Sequence, residues 1–257
     1  ATAIMTTDTA KKEISAEIEI GGKTVTFGGM CKGSGMIHPN LGTMLCYITT
    51  DAAISKPLLQ KALRNCVEKT FNMVSVDGDT STNDTVVIFA NGMAENPIID
   101  SEGEAYSVFE EALMELCTYL ARKIAEDGEG ATKLMTVKVE NALTYEDAVA
   151  ISKSVACSSL TKSAVFGNDA NWGRIICAMG YSEGNFNPDI CDIKISSDKG
   201  ELLLVENGLG AGYSEEKATE IFEADEVIIS INLKEGNGSA TAWGCDLTYD
   251  YVKINAD

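Results

Sequence analysis

The side chains able to do chemistry in this sequence are mainly hydroxyls and carboxylates, because the chain has a single histidine, His38. A Ser-His-Asp triad or a Cys/His zinc site would depend on that one residue, which lies in a Pro-Asn loop sequence. Both kinds of site are therefore disfavoured, and we predict that the protein binds no metal. A nucleophile in this chain needs a base other than histidine.

The dipeptide Gly42-Thr43 can supply such a base, although dipeptides of this kind are common. A threonine at the start of a chain can pass its hydroxyl proton to its own α-amine, whose pKa is roughly 7.7–8.0. That terminus arises inside a chain when the hydroxyl attacks the preceding carbonyl and the peptide bond breaks. Glycine before the threonine tolerates the strained backbone that this attack requires. The dipeptide is therefore a possible site of self-cleavage.

The segment DGDTSTND at residues 77–84 suggests a different chemistry. Asp77 and Asp79 follow an apolar run and resemble the nucleophile loop of haloacid dehalogenase-like phosphatases, where Mg²⁺ bridges the carboxylates. Serine takes the last position of that motif, and no Rossmann-like alternation begins with the run. An EF-hand is excluded, since Thr82 stands where that loop needs glycine. A polar turn whose side chains cap local backbone groups is the simpler interpretation.

Two glycine-rich passages do not match nucleotide-binding motifs. The string GLGAG at Gly208–Gly212 is not the dinucleotide fingerprint, and no acidic residue is placed to bind a ribose. In KGSGM, Lys32 precedes the glycine, whereas a Walker A loop has the lysine after it. From the residues alone, Lys32 is a surface lysine and the glycines belong to loops.

Composition favours a globular protein of one large domain or two ordinary ones. Hydrophobic residues make up 45% of the 257, and no run approaches the roughly 20 apolar residues that span a bilayer. The formal net charge of −19 disfavours nucleic acid and anionic membranes as partners. Eight scattered cysteines without a CxxC pair predict free, mostly buried thiols in a reducing cytoplasm. The chain starts without methionine, and we expect further sequence upstream.

Hydrophobic periodicity predicts a layered mixture of helices and strands, with a domain boundary near Gly130. Predicted strands are a hairpin turning at Gly21-Gly22 and the runs Thr43–Asp51, Met73–Val76, Val86–Ala90, Met135–Val139, Ile190–Ile195, Leu202–Val205, Val227–Leu233 and Ala240–Asn255. Predicted helices follow Ser55, the Ser101/Glu104 capping box and Thr144, and a further helix spans Asn171–Gly180.

Eight motifs in order are more specific than any one of them. They are AIMTTDT at 3–9, KGSGMIHPN at 32–40, GTML at 42–45, ITTDA at 48–52, VDGDTSTNDT at 76–85, DGEGATK at 127–133, FGNDANWGRI at 166–175 and TAWGCDLTYDYVKINA at 241–256. This series resembles the ornithine acetyltransferase (glutamate N-acetyltransferase) family over essentially the whole chain. The resemblance implies an enzyme that carries acetyl from N-acetylornithine to glutamate through an acetyl ester on threonine, releasing ornithine and N-acetylglutamate.

The resemblance also implies an α/β fold with a layered, N-terminal-nucleophile-like catalytic region, residues 1–130, and a smaller α/β C-terminal domain, residues 131–257. The α chain would end at Gly42 and the β chain would begin at the nucleophile, Thr43, in an α₂β₂ assembly. The family more often has alanine at the position of Gly42.

Substrate contacts implied by the resemblance fall on Thr6, Lys32, Thr43, Glu129 and Asn255. The family's oxyanion-stabilising Thr-Gly pair precedes the MTTD motif, and further family residues follow INA, so we expect a longer parent protein. No cofactor is expected, although some members also accept acetyl-CoA. An N-terminal-nucleophile amidase that uses water as acceptor, and an uncleaved, inactive fragment of the same family, remain as alternatives.

Overall fold

The structure is a computed structural model that describes residues 1–38 and 44–256, so the predicted cleavage pair Gly42 and Thr43 lies outside the described residues. The chain divides into two compact units, Ala1–Asn72 with Asp79–Ile124, and Met73–Gly78 with Ala125–Asp257. Both units combine a mixed sheet with helices, which confirms the predicted α/β class. We predicted the domain boundary near Gly130, whereas the structure separates the units after Ile124 and assigns Met73–Gly78 to the second one.

The first unit is built on a sheet of four strands in the order β1-β2-β3-β4. These strands are β1 (Lys12–Ile20), β2 (Lys23–Lys32), β3 (Leu45–Thr50) and β4 (Thr85–Ala90). The β1–β2 and β2–β3 pairs are antiparallel, whereas β4 runs parallel to β3. The predicted hairpin is confirmed: Ile20 pairs with Lys23, and Gly21 and Gly22 have φ of 58° and 76°, as a two-residue hairpin turn requires.

The first unit contains helix α1 (Lys56–Lys69) and all but the last two residues of helix α2 (Glu104–Glu126). The predicted apolar stripe of α2 is core, since Phe109, Leu113, Leu116, Leu120 and Ile124 are each at most 1% exposed. The ring of Phe109 lies 5.1 Å from that of Phe27 on β2, so this stripe covers one face of the sheet. The predicted capping box was wrong, because α2 begins at Glu104 and the Ser101 hydroxyl donates to Asp100.

The second unit contains a sheet of six strands in the order β10-β5-β9-β6-β7-β8. They are β5 (Leu134–Ala142), β6 (Asp192–Ser197), β7 (Gly200–Glu206), β8 (Leu209–Gly210), β9 (Glu226–Asn232) and β10 (Gly238–Cys245). Only β5 and β9 run parallel within this described sheet. Alternating residues of β9 are buried, which matches the apolar run that predicted this strand.

Five helices accompany this sheet: α3 (Tyr145–Cys157), α4 (Ser159–Phe166), α5 (Trp172–Gly180), α6 (Glu215–Phe222) and α7 (Tyr249–Asn255). At the N-cap of each helix, a side-chain oxygen accepts a backbone N–H from the first turn. These N-cap residues are, in order, Thr144, Ser158, Asn171, Ser214 and Thr248. Helix α3 packs on β5 and β10, and α6 packs on β6 and β7. Every helix in residues 1–38 and 44–256 is too short or too polar to cross a bilayer.

Two predicted strands were wrong. The run Met73–Val76 forms no strand: a short 3₁₀ turn ends at Met73, and Val74 makes a single bridge to Trp243. The predicted strand Ala240–Asn255 ends at Cys245, and its last part is the helix α7. Two contacts account for this: Cys245 pairs with Leu134, the first residue of β5, and the Thr248 hydroxyl accepts the first N–H groups of α7.

Candidate active site

The first polar pair of the candidate site joins the start of the chain to the end of β2. Lys32 is the last residue of β2 and is only 6% exposed, whereas Thr6 is exposed. The Lys32 Nζ donates a hydrogen bond of 3.1 Å to the Thr6 Oγ1. A buried ammonium beside an exposed hydroxyl is suited to bind an anionic group, because both can donate hydrogen bonds to it. The surface lysine expected from the residues alone is therefore a buried one.

A buried carboxylate holds this pair in position. Asp8 Oδ1 accepts from the Lys12 Nζ at 2.6 Å and from the Gly33 N–H at 2.7 Å, and its Oδ2 accepts from the Thr6 N–H at 3.1 Å. Burial raises the pKa of Asp8, but the bonds from Lys12, Gly33 and Thr6 outweigh it and leave this pKa below its ordinary value. Asp8 therefore fixes the backbone on both sides of the Lys32–Thr6 contact.

A second carboxylate binds the first described residue after the predicted nucleophile. Asp84 Oδ1 accepts from the Met44 N–H at 2.5 Å, and the Thr85 N–H donates to the Met44 carbonyl at 2.9 Å. Asp84 Oδ2 is buried and has no hydrogen-bond partner among the described residues. Burial raises the pKa of Asp84 above its ordinary value, while the Met44 N–H and the charge of Lys32 act in the opposite direction.

A cavity of about 540 Å³ lies beside this carboxylate, between α1 and β4. Its apolar wall includes Met44, Leu63 and Phe71, and its polar wall includes Arg64 and Asp84. The volume falls in the range of small-molecule pockets. The cavity belongs wholly to the first unit, so its shape depends on the packing of α1 against the parallel edge strand.

The other polar pair lies in the second unit, where the GEGATK segment meets α7. The Asn255 Nδ2 donates to Glu129 Oε2 at 2.9 Å and to the Tyr251 carbonyl at 3.0 Å. The contact depends on Gly130, which has φ of 69° and whose added Cβ would lie 2.4 Å from the Tyr251 nitrogen. The Thr248 hydroxyl donates to the Gly130 carbonyl at 2.6 Å and so ties the helix to the segment.

A third carboxylate, Asp246, holds the same segment from its other end. It accepts from the Thr132 N–H at 2.8 Å, the Thr132 hydroxyl at 2.5 Å and the Lys133 N–H at 3.0 Å. The Lys133 Nζ in turn donates to the carbonyls of Phe222 and Val165, at 2.7 Å and 3.0 Å. Burial lowers the pKa of Lys133. The backbone that carries Glu129 is thus fixed by polar contacts after it as well as by the close approach of α7.

The structure brings the four described candidate residues together as two pairs, one in each unit. Thr6 contacts Lys32, and Glu129 contacts Asn255. Sequence reasoning missed the residues that hold these pairs, namely Asp8, Asp84, Asp246 and Gly130. All four lie inside the motifs that carry the family resemblance, so their positions in those motifs were the available signal.

The phosphatase alternative lacks its structural context. A nucleophile loop of that kind follows a strand directly, but the residues just before Asp77 form no strand. The Asp77 Oδ2 accepts from the Tyr251 hydroxyl at 3.4 Å. Among the described residues, no group of three or more His, Cys, Asp or Glu side chains is arranged to hold a metal ion. All eight cysteines lie in the described part of the chain and are free thiols, as predicted, although Cys177 is exposed.

Comparison with known proteins gives the same relationship at the levels of family, sequence and structure. The ArgJ family model matches residues 1–257. The arginine biosynthesis bifunctional protein ArgJ of Listeria monocytogenes is 52% identical over 99% of this chain and 63% of its own length. That of Bacillus subtilis is 50% identical over 99% of this chain and 62% of its own length. The chain therefore spans less than two thirds of the length of these curated relatives.

A solved structure extends the comparison to the fold. The crystal structure of the arginine biosynthesis bifunctional protein argJ from Bacillus halodurans superposes with a TM-score of 0.78 at 48% identity. The superposition covers 82% of this chain and 97% of the crystallised chain. The fold and the two polar pairs define a mixed α/β protein with groups suited to bind a small charged ligand. The chain belongs to the ArgJ family.

Proposed function

We propose that this chain is the nucleophile-bearing part of an acetyltransferase of arginine biosynthesis, which moves acetyl from N-acetylornithine to glutamate. The observation that carries the proposal is the match of the ArgJ family model to all 257 residues. The curated relatives, at 50–52% identity, are named arginine biosynthesis bifunctional proteins. The family resemblance of the eight sequence motifs supplies the reaction.

The proposed reaction uses Thr43 as a nucleophile that carries its own base. The α-amine of residue 43 takes the proton of the hydroxyl as Oγ attacks the acetyl carbonyl of N-acetylornithine. The C–N bond then breaks, the amine of ornithine leaves with that proton, and an acetyl ester remains on Thr43. The amine of glutamate attacks this ester and releases N-acetylglutamate, which restores the hydroxyl. The scarcity of histidine in the chain supports a base of this kind.

Each polar pair is suited to one kind of charged group that the substrates carry. Both substrates carry an α-carboxylate, and we assign its recognition to Lys32 with the Thr6 hydroxyl, which Lys32 Nζ contacts at 3.1 Å. The amine of ornithine needs an anion, and we assign it to Glu129, whose carboxylate is held by Asn255. Charged hydrogen bonds of this type fix orientation as well as affinity.

Self-cleavage at Gly42–Thr43 is the step that would create the α-amine. Residues 43–257 make up slightly more than four fifths of this chain. The superposition on the crystallised Bacillus halodurans chain uses a similar share of this chain, 82%, and that share covers 97% of the crystallised chain. The whole of this chain, by contrast, covers only 62–63% of the length of the curated relatives. The crystallised relative is therefore a much shorter chain than the curated ones. This difference in length supports a protein made of two chains, for which we propose an α₂β₂ assembly.

No cofactor is needed for this chemistry, because both half-reactions are acyl transfers between a hydroxyl and an amine. Acetyl-CoA is proposed only as an additional acetyl donor to the same threonine. The eight free thiols support a reducing compartment, and we propose that the protein works in the cytoplasm.

The acceptor of the acetyl group tests the proposal directly. The protein, purified as its gene encodes it, is incubated with acetyl-labelled N-acetylornithine, with and without glutamate, and the products are separated by chromatography. We expect labelled N-acetylglutamate, and ornithine beyond the single equivalent released when the acetyl ester forms, only when glutamate is present. Labelled acetate at the same rate with and without glutamate would instead identify water as the acceptor and the protein as an amidase.

Substitution of Lys32 tests the assignment of the carboxylate contact. Lys32→Met removes a charged hydrogen-bond donor, which is worth about 1.5–3 kcal/mol, so KM for both substrates should rise about 10- to 100-fold. The exposed Lys11, whose side chain is 56% accessible, provides the control, because Lys11→Met makes the same change of charge at the surface. Equal kinetic constants for the two variants would contradict the assignment.

A further inference from the structure

The cavity between α1 and β4 is lined by several polar side chains that the described part of the chain leaves without a partner. Arg64, Glu68 and Asn72 line it and make no hydrogen bond or ion pair with any described residue. Asp84 also lines it, and its buried Oδ2 has no hydrogen-bond partner among the described residues. Native proteins rarely leave a buried carboxylate oxygen unsatisfied. Four such side chains around one cavity of about 540 Å³ are the arrangement expected for a small polar ligand.

Helical spacing brings two different stripes of α1 to this cavity. Leu63 and Val67 lie one turn apart and form an apolar stripe, which is only partly buried. Arg64 and Glu68 each follow one residue later and form a charged stripe. The two charges do not pair with each other or with other described residues, so both are available to a ligand.

The lining restricts the chemistry of that ligand. Two carboxylates beside one cation disfavour a simple anion, and the apolar wall, to which Met44 and Phe71 also belong, disfavours a small hydrophilic ion. A molecule with opposite charges close together and an apolar group beside them matches the whole lining. An α-amino acid with an apolar side chain carries all three groups on one carbon atom.

We propose that this cavity is a binding site for an apolar α-amino acid. The guanidinium of Arg64 donates to the carboxylate of the ligand, and the carboxylates of Glu68 and Asp84 accept from its ammonium. The side chain of the ligand packs against the apolar stripe formed by Leu63 and Val67. The substrate contacts proposed above use none of these residues, and binding at this cavity does not depend on the proposed reaction.

The first test separates the two charges of the ligand in the wild-type protein, purified as its gene encodes it. Equilibrium dialysis measures the binding of L-leucine, of isocaproate, which lacks the ammonium, and of isoamylamine, which lacks the carboxylate. Each truncated probe loses one set of charged hydrogen bonds, so we expect L-leucine to bind about 10-fold or more tightly than either. Equal affinities for the three probes, or no saturable binding of L-leucine, overturn the inference.

The second test places the binding at α1. Arg64→Met should lower the affinity for L-leucine about 10-fold or more, because it removes the donor to the carboxylate, and should leave that for isoamylamine unchanged. Lys69→Met is the matched control, since Lys69 is exposed on the same helix and does not line the cavity. Arg64 is exposed as well, so neither substitution disturbs the core. Unchanged binding of L-leucine to Arg64→Met contradicts the proposed site.

Competition with glutamate shows whether L-leucine instead occupies the proposed substrate site. The charged side chain of glutamate would lie against the apolar wall of the cavity, at a cost in desolvation. We therefore expect excess glutamate to leave L-leucine bound. Displacement of L-leucine by glutamate would assign the binding to the substrate contacts and overturn the inference.

Discussion

Removal of the Asp8 carboxylate should be among the most destabilising single changes in the first unit. Its ion pair with Lys12 has an N–O distance of 2.6 Å, and the two side chains are 0% and 1% exposed. Asp8→Ala leaves the ammonium of Lys12 without this partner and frees the N–H groups of Thr6 and Gly33. Loss of one partner of a buried pair typically costs about 3–5 kcal/mol, and we expect a loss in this range.

The matched control is an ion pair of the same length at the surface. Lys253 and Asp250 also lie 2.6 Å apart, but their side chains are 74% and 62% exposed. Asp250→Ala should cost less than about 1 kcal/mol, because water screens both charges. The assay is urea denaturation at pH 7 followed by far-ultraviolet circular dichroism, from which the free energy of unfolding is extrapolated. Equal losses in the two variants would refute the reasoning.

The pH dependence of the same comparison provides a check on its cause. The pKa of Asp8 in the folded protein lies below its ordinary value of 3.8. The carboxylate therefore contributes stability that is present above pH 3.8 and is lost as the pH falls through the lower, folded-state pKa. The difference in stability between wild type and Asp8→Ala should be constant from pH 7 to pH 5 and should shrink below pH 4. A difference that does not change with pH would exclude an ionised Asp8 as its source.

Three further predictions concern backbone, cap and thiol. Gly130→Ala should lower the rate of acetyl transfer more than Gly78→Ala in a steady-state assay. Both glycines have positive φ, but only at Gly130 would an added Cβ meet another atom, the Tyr251 nitrogen at 2.4 Å. Thr144→Ala should cost about 1 kcal/mol in urea denaturation, whereas Ser55→Ala at an N-cap without a side-chain hydrogen bond should cost less. A thiol reagent should modify Cys177 first in the native protein, and peptide mapping that finds a buried cysteine modified first would contradict this.

The regular elements were predictable where a pattern and a local signal agreed. The β1–β2 hairpin combines strict alternation with two glycines at its turn, and α2 combines a stripe of five buried side chains with helical spacing. Prediction failed at the end of the chain, where β-branched and aromatic residues favour a strand. Strand β10 ends at Cys245 because Cys245 is opposite Leu134, the first residue of the antiparallel strand β5, and residues after Cys245 have no partner on that strand. Tertiary pairing decided this segment, and composition could not reveal it.

The role of the candidate site residues stays a prediction, and the contacts that hold them were not predicted. Thr6, Lys32, Glu129 and Asn255 followed from the family resemblance, and the structure adds that they form two hydrogen-bonded pairs. Each of the carboxylates that hold the site accepts at least one N–H group from far along the chain, as Asp84 does from Met44. Such contacts have no sequence period, so spacing alone cannot indicate them.

The central claim is that acetyl is carried on the side chain of residue 43 after the chain is cut before it. The most direct measurement is intact mass spectrometry of the protein incubated with N-acetylornithine without glutamate, followed by fragmentation of the piece that begins at Thr43. We predict one added acetyl group on Thr43, which disappears when glutamate is added and is absent from Thr43→Ala. Acetylation that persists in Thr43→Ala, or an uncut chain that turns over substrate at the full rate, would contradict the account.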